Sequence, residues 1–177
     1  SGAVDSSFNM IDVDGDQSTN DTVVILANGA SGTPQISAGS EGSDSFVEAL
    51  TYVCTELAKE LAGDGEGAQR LIEVTVEGAL TVSEARTSAR EIASSLLVKA
   101  MVHGRDPNWG RLVMALGKSE ISVDESKLDI FISDIHIVHE GIAIPYYRDA
   151  VVSAMGNDEI NFRIALNIGN HSATAWG

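Results

Sequence analysis

Two patterns of apolar spacing alternate along the chain, and they constrain its fold more than any other feature. Residues 44–62 and 85–101 repeat apolar side chains at helical spacing. Residues 71–79 and 159–168 instead alternate apolar with polar side chains, as half-buried strands do. A short apolar run at residues 22–27 predicts an additional, buried strand.

The last third of the chain predicts mainly sheet. Residues 128–138 and 142–147 flank His139-Glu140-Gly141, a hairpin signal. Short helices are predicted near residues 112–116 and 149–155. Strands therefore occur in runs with two substantial helices between them, which favours an α+β fold with mixed or antiparallel sheet over a doubly wound parallel fold.

Charge and composition exclude several classes of function. The formal net charge of −15 repels phosphate backbones and anionic headgroups, so we expect neither nucleic-acid nor membrane-surface binding. No apolar run reaches about 18 residues, and residues 1–10 lack the features of a secretory leader. The single cysteine, Cys54, is predicted to be a buried thiol in a reducing compartment. These features predict a cytoplasmic protein.

A glutamate between two glycines is the first candidate for chemistry. Gly65 and Gly67 allow a ligand to approach the backbone closely and leave the carboxylate of Glu66 unshielded. A carboxylate held in this way is a good receptor for a primary ammonium group. The alternative is a solvated glutamate in the loop that ends a helix, and spacing alone favours that alternative.

The acidic loop at residues 12–21 invites a calcium interpretation. The EF-hand template fails there, because its required glycine falls at Gln17 and its closing glutamate at Val23. Two interpretations stay open, namely a turn whose side chains bond their own backbone and a loop that orders an active site.

The remaining polar motifs favour structural roles over catalytic or metal-binding ones. The loop at residues 106–111 is fixed by Pro and Gly and is predicted to be structural. Four histidines are scattered along the chain and form no His-x-x-x-His pair, so no metal site is predicted. From spacing alone, no complete set of catalytic residues is visible.

An ordered series of motifs resembles one family over essentially the whole chain. Each motif is weak alone, but the ordered set is highly specific. The motifs are Ser7-Phe8-Asn9, Asp14-Gly15-Asp16, Ser18 to Val23, Ala27-Asn28-Gly29, Gly65-Glu66-Gly67-Ala68, Ile72-Glu73-Val74, Leu97-Val98-Lys99-Ala100, Gly104, Asp106 to Arg111 and Ser172 to Gly177. The series is similar to the β-chain of the glutamate/ornithine N-acetyltransferase family of arginine biosynthesis, truncated at both ends.

The resemblance implies a two-step acyl transfer. A precursor cleaves itself before a threonine, whose hydroxyl becomes the nucleophile and whose free α-amine acts as the general base. The threonine takes the acetyl group from N-acetylornithine and passes it to glutamate, so ping-pong kinetics are expected. An oxyanion hole stabilises the tetrahedral intermediate, and in this family a Thr-Gly pair on the α-chain supplies it.

The resemblance also assigns residues and partners. Glu66 matches the family's substrate-contacting glutamate and would bind the amino group of the substrate, whereas Asn20 and Asp21 are weaker candidates for ordering the loop near the nucleophile. The nucleophilic threonine is expected upstream of Ser1, so no catalytic residue is assigned within this chain. The chain alone is therefore expected to be inactive, with the α-chain of the same precursor as its partner in an α2β2 heterotetramer.

The implied fold is an αββα sandwich with a smaller α/β part. We place part of the sandwich at residues 1–100 and the smaller part at residues 101–177. No cofactor is required, although acetyl-CoA stays open as a second acetyl donor. Two alternatives also stay open, namely an amidase or peptidase of a related self-cleaving fold and a non-catalytic assembly fragment.

Overall fold

A computed structural model describes residues 2–177 and contains six α-helices, two short 3-10 helices and six strands within that range. The helices are α1 (Gly2–Asp5), α2 (Ser43–Gly63), α3 (Val82–Ala93), α4 (Leu96–His103), α5 (Trp109–Lys118) and α6 (Arg148–Ala154). The 3-10 helices are Phe8–Met10 and Glu125–Lys127. The strands are β1 (Leu71–Ala79), β2 (Asp129–Ile132), β3 (Ile135–His139), β4 (Ile142–Ala143), β5 (Glu159–Ala165) and β6 (His171–Trp176).

The six strands form one mixed sheet with the order β4-β3-β2-β5-β1-β6. Strands β1 and β5 are parallel, and every other neighbouring pair is antiparallel. The predicted α+β class with a mixed sheet is therefore confirmed. Residues 2–177 contribute this single sheet, so the second sheet of a sandwich is not among the described residues.

One face of the sheet forms the core. Helix α3 packs against β1 and β6, and α5 packs against α3. The apolar positions of the alternating strands point into this layer and are fully or almost fully buried; they include Ile72, Val74, Val76, Ile130, Ile132, Ile160, Phe162 and Ile164. Burying apolar side chains on one face is what the alternating pattern predicted.

The opposite face of the sheet is polar and is held together by paired side chains. The hydroxyls of Thr75 and Thr174 lie 2.9 Å apart across β1 and β6. Lys59 of α2 reaches this face, with its Nζ 3.2 Å from Glu73 Oε2 and 3.3 Å from Glu159 Oε1. Partial burial alone would lower the pKa of Lys59, but the two carboxylates raise it above the ordinary value.

The second predicted helix is two helices in the structure. The N-cap half of the predicted capping box is confirmed, because Thr81 Oγ1 accepts from Glu84 N at 3.1 Å, while Glu84 Oε2 accepts from the Thr81 hydroxyl at 3.2 Å. The helix ends at Ala93, and Ser95 then caps α4 by accepting from Val98 N at 3.4 Å. A serine side chain that bonds nearby backbone competes with helix continuation, which explains the break.

The predicted strand at residues 128–138 is wrong in its extent. Ser133 and Asp134 adopt positive φ values of 46° and 64° and turn the chain back on itself between β2 and β3. Neither residue is glycine, so the usual sequence signal for such a turn is absent.

The buried strand predicted at residues 22–27 is also wrong. This segment has no strand structure, and Val24, Ile25 and Leu26 are 66%, 64% and 91% exposed. A strand needs a neighbour to satisfy its backbone donors and acceptors, and no described strand lies beside this segment.

Helix α2 has the predicted apolar stripe, but only part of it is buried within residues 2–177. Cys54, Ala58 and Ala62 are buried, as predicted for Cys54. The larger apolar side chains on α2 remain about half exposed or more, and they are Phe46, Val47, Tyr52, Val53, Leu57 and Leu61. An unpartnered apolar face of this size indicates an interaction surface.

The division at residue 100 stays a prediction. Strand β1 lies before it, and both sheet neighbours of β1 lie after it, so the sheet crosses the proposed boundary. Across residues 2–177, none of the helices combines the length and the apolar character that crossing a bilayer requires.

Candidate functional site

Glu66 lines a cleft of about 230 Å³ between the end of α2 and the side of α4. The loop from Gly65 to Arg70 forms one wall, and Val13 and Gly177 also line the cleft. A volume below about 300 Å³ is smaller than sites for drug-sized ligands and suits a metabolite of few heavy atoms.

The glycines shape the wall that carries Glu66. Helix α2 ends at Gly63, and a turn follows in which Ala68 N donates to Gly65 O at 2.9 Å. Gly67 adopts a φ of +77°, a conformation that favours glycine. A Cβ at Gly65 would lie 2.8 Å from Val13 Cγ1, so glycine is also what permits the close approach of residues 13 and 65. The turn leaves Glu66 exposed at the mouth of the cleft.

Lys99 contributes little free charge to the cleft. Its Nζ lies 2.9 Å from Asp12 Oδ2 and donates to Val13 O at 2.8 Å. Both side chains are largely buried, at 25% and 16% exposure. Lys99 therefore ties the loop at residues 12–13 to α4, and this tether forms one side of the cleft.

Arg70 is the basic residue that sequence analysis missed. It lines the same cleft as Glu66, and its Nε is buried without a hydrogen-bond partner within residues 2–177. The sequence could have indicated this residue, because Arg70 lies only four residues after Glu66 and directly before the predicted strand at residues 71–79. A carboxylate and a guanidinium on one small cleft are complementary to the ammonium and carboxylate of an amino acid.

Asn20 and Asp21 lie on an exposed loop and are not among the residues that line the cleft. Asn20 bonds only locally within the described residues, since its N lies 3.4 Å from Ser18 Oγ and its O accepts from Thr22 Oγ1 at 3.4 Å. Earlier in the same loop, Asp14 Oδ1 accepts from Asp16 N at 3.0 Å. That bond is typical of a turn in which an aspartate bonds the backbone two residues on.

Arg111 is joined to the scaffold. Its Nη1 donates to the carbonyl oxygen of Leu97 at 3.0 Å, which links the start of α5 to α4. Trp109 of the same motif packs against the hydrophobic core. The structure divides residues 106–111 between a loop at 106–108 and the first turn of α5, and these contacts anchor the motif to the scaffold.

The fold and the cleft together define an α+β domain that presents a small, charged pocket beside the end of a helix. The model of the ArgJ family matches residues 1–177. The chain belongs to the ArgJ family.

Similar proteins share this assignment. The chain is 47% identical over 175 residues to the arginine biosynthesis bifunctional protein ArgJ of Symbiobacterium thermophilum, a match that covers 99% of this chain and 44% of that protein. It is 44% identical to the protein of the same name from Dehalococcoides mccartyi, of which it covers 43%. The chain thus spans less than half the length of these relatives.

A solved structure confirms the fold. The crystal structure of arginine biosynthesis bifunctional protein argJ from Bacillus halodurans superposes with a TM-score of 0.97 at 37% sequence identity. The match covers 99% of this chain and 83% of that one. The resemblance deduced from the ordered motifs is thereby confirmed.

Proposed function

We propose that this chain is the larger part of the β-chain of an acetyltransferase that moves the acetyl group of N-acetylornithine to glutamate in arginine biosynthesis. The observation that carries the proposal is the Glu66 cleft in a chain of the ArgJ family. Relatives at 47% and 44% identity bear the name arginine biosynthesis bifunctional protein.

Glu66 binds the amino group of ornithine or of glutamate. Ornithine and glutamate each carry an ammonium and a carboxylate, and the cleft places the Glu66 carboxylate and the Arg70 guanidinium on its walls. A charge-assisted hydrogen bond from an ammonium to a carboxylate is among the stronger polar contacts in proteins. The cleft therefore orients one amino acid at a time, as a two-step transfer requires.

The covalent chemistry takes place on a threonine upstream of Ser1. Its hydroxyl attacks the acetyl carbonyl of N-acetylornithine, and its α-amine accepts the hydroxyl proton. Collapse of the tetrahedral intermediate passes that proton from the α-ammonium to the leaving nitrogen, releases ornithine and leaves an acetyl ester on the threonine. Glutamate then attacks that ester and leaves as N-acetylglutamate. A Thr-Gly pair of the α-chain supplies the oxyanion hole, and Asn20 and Asp21 order the adjoining loop.

The partner surface is the exposed apolar face of α2 together with residues 22–26. Val23 and Val24 line a shared depression with Leu57 and Leu61. These apolar side chains are about half exposed or more, so no element of this chain covers the face within residues 2–177. We assign it to the α-chain of the same precursor, in a cytoplasmic α2β2 assembly.

Charged substitutions on this face test the assigned partner. We expect Leu57→Asp to weaken association with the co-expressed α-chain by roughly 100-fold or more, because burying an unpaired carboxylate costs several kcal/mol. Size-exclusion chromatography and a titration of the two purified chains would measure the effect. The matched control is Ile142→Asp, since Ile142 is 70% exposed on the edge strand β4. Equal association of both variants would remove α2 from the interface.

Reconstitution tests the activity itself. We expect the isolated 177-residue chain to transfer no acetyl group, and the intact protein to convert N-acetylornithine and glutamate into ornithine and N-acetylglutamate. Mass spectrometry of the intact protein after N-acetylornithine alone should show one added acetyl group per active site. Release of acetate with no transfer to glutamate would favour the amidase alternative. Transfer by the isolated chain would overturn the assignment of the nucleophile.

A further inference from the structure

A β-bulge brings two histidines to the same face of the sheet. Ile130 pairs with Val138, but the next residue of β2, Phe131, pairs with His136, so β3 carries one extra residue there. Residues three apart on a regular strand point to opposite faces. The bulge compensates for the odd spacing, with Ile137 and Val138 both buried, and it leaves His136 and His139 together on the polar face.

Asp129 completes the group from the neighbouring strand. The register of β2 and β3 places it opposite His139, and its Oδ1 lies 2.9 Å from His139 Nδ1 and 3.5 Å from His136 Nε2. The three potential ligand atoms all lie within 4.8 Å of one another. Donor atoms around a tetrahedral zinc ion stand about 3.3 Å apart, given metal–ligand distances near 2.0 Å. The spacing of the cluster is thus close to that of a metal site.

The environment of the cluster orders its donors. Asp129 Oδ1 accepts from Glu140 N at 2.9 Å, and Asp129 Oδ2 accepts from Asn167 Nδ2 at 3.1 Å, which fixes the carboxylate. Burial alone would raise the pKa of Asp129, but the hydrogen bonds from Glu140, His139 and Asn167 lower it below the ordinary value. The hydrogen bonds therefore hold both carboxylate oxygens in place beside the two imidazoles.

The ring of His136 is held by stacking. It stacks on Phe131 with ring centroids 4.2 Å apart, and the guanidinium of Arg163 lies 3.5 Å from the centroid of the same Phe131 ring. Arg163 is itself paired with Glu77 at 2.8 Å, so its charge is compensated locally. His136 Nε2 is buried and forms no hydrogen bond within residues 2–177, and Asp129 Oδ1 approaches it only to 3.5 Å. A buried polar atom without a partner is costly, and a bound cation would satisfy it.

We propose that Asp129, His136 and His139 form a binding site for a divalent transition-metal ion, with zinc as the best-fitting member of the class. Two imidazoles and one carboxylate are ligands that zinc accepts, and three protein ligands leave a position for water or another small ligand. None of the three residues lines the Glu66 cleft, so the site is separate from the proposed acetyltransferase chemistry.

Zinc titration of the intact protein tests the proposal. Isothermal calorimetry with zinc chloride should show one equivalent per chain that disappears or weakens in Asp129→Asn and His139→Ala. Changes to outer-shell partners alone cost 10- to 100-fold in metal affinity. Loss of a direct ligand should therefore cost about 100-fold or more. Titration with cobalt chloride should produce visible d–d absorption in the parent protein that is absent from the His139→Ala variant.

Two controls separate this site from other metal binding. His171→Asn removes a histidine of β6 outside the cluster and should leave the titration unchanged. His139 is 54% exposed, so its replacement by Ala is expected to preserve the fold, which circular dichroism would verify.

Zinc at a hundredfold excess over its Kd should also raise the thermal midpoint of the parent by roughly 5 °C or more, and not that of His139→Ala. Identical stoichiometry and affinity in the parent, Asp129→Asn and His139→Ala would overturn the proposal.

Discussion

Replacing Glu66 with Gln is expected to lower kcat/KM by roughly 10- to 150-fold for both N-acetylornithine and glutamate. A hydrogen bond to a charged group contributes about 1.5–3 kcal/mol, and each 1.4 kcal/mol is a factor of ten. The substitution keeps the size of the side chain, removes its charge and replaces one acceptor oxygen with an NH2 donor. Because the residue is exposed at the turn, the fold should not change.

Both half-reactions must be measured separately to test this role. Ping-pong kinetics allow the two specificity constants to be determined independently, and if the Glu66 carboxylate contacts an ammonium group in both half-reactions, both constants should fall. Glu41→Gln is the matched control, since Glu41 lies on an exposed loop and does not line the cleft. Glu66→Asp, which keeps the charge, should recover part of the loss. If Glu66→Gln had unchanged constants for both substrates, Glu66 would not belong to the site.

Replacing Gly169 with Ala is expected to destabilise the protein by about 3 kcal/mol or more, at the upper end of the cost of overpacking. A Cβ at this position would overlap the carbonyl oxygen of Ala79 and lie 2.6 Å from its carbonyl carbon and 2.9 Å from Leu80 Cα. All three atoms are backbone, so no side chain can rotate away. The connection between β5 and β6 is also fixed here, because Gly169 N donates to Gly78 O at 2.8 Å.

The control for this prediction is a glycine without near neighbours. Gly117 lies in α5, and a Cβ there would meet nothing within 4 Å. Gly117→Ala should be neutral or stabilising by about 0.5–1 kcal/mol, because alanine favours a helix interior. Thermal unfolding of both variants should place Gly169→Ala roughly 6–12 °C below the parent. Equal thermal midpoints for the two variants would contradict the prediction, because they would show that the backbone at Ala79 and Leu80 shifts to accommodate the added methyl group at little cost.

Local pattern in the sequence predicted the elements whose period is long and regular. Helix α2 and strand β1 lie where apolar spacing placed them, strand β5 begins as predicted but ends three residues early at Ala165, and the N-cap Thr81 marks the start of α3. Each of these features depends on residues within one or two turns of each other. The glycines around Glu66 likewise predicted an exposed carboxylate from local chain geometry alone.

Contacts between segments distant in the sequence decided which apolar segments became strands, where the chain turned and which residues joined the cleft. Residues 22–27 have strand composition, but an apolar segment becomes a buried strand only when another strand pairs with it. The turn at Ser133 and Asp134 uses positive φ without glycine, so its signal was absent from the residue types. Arg70 joined the site only because α4 packs beside the loop that carries it.

The histidine pair shows most clearly that local sequence pattern does not give strand register. His136 and His139 form no His-x-x-x-His pair, and a regular strand would point residues three apart to opposite faces. The one-residue bulge in β3 and the register with β2 placed both beside Asp129. By itself, the sequence determined the α+β class, the regular elements, the family and the glycine-flanked carboxylate, since these depend on local order along the chain. Only the tertiary structure decided register, cleft walls and side-chain clusters, because those depend on which distant segments the backbone hydrogen bonds join.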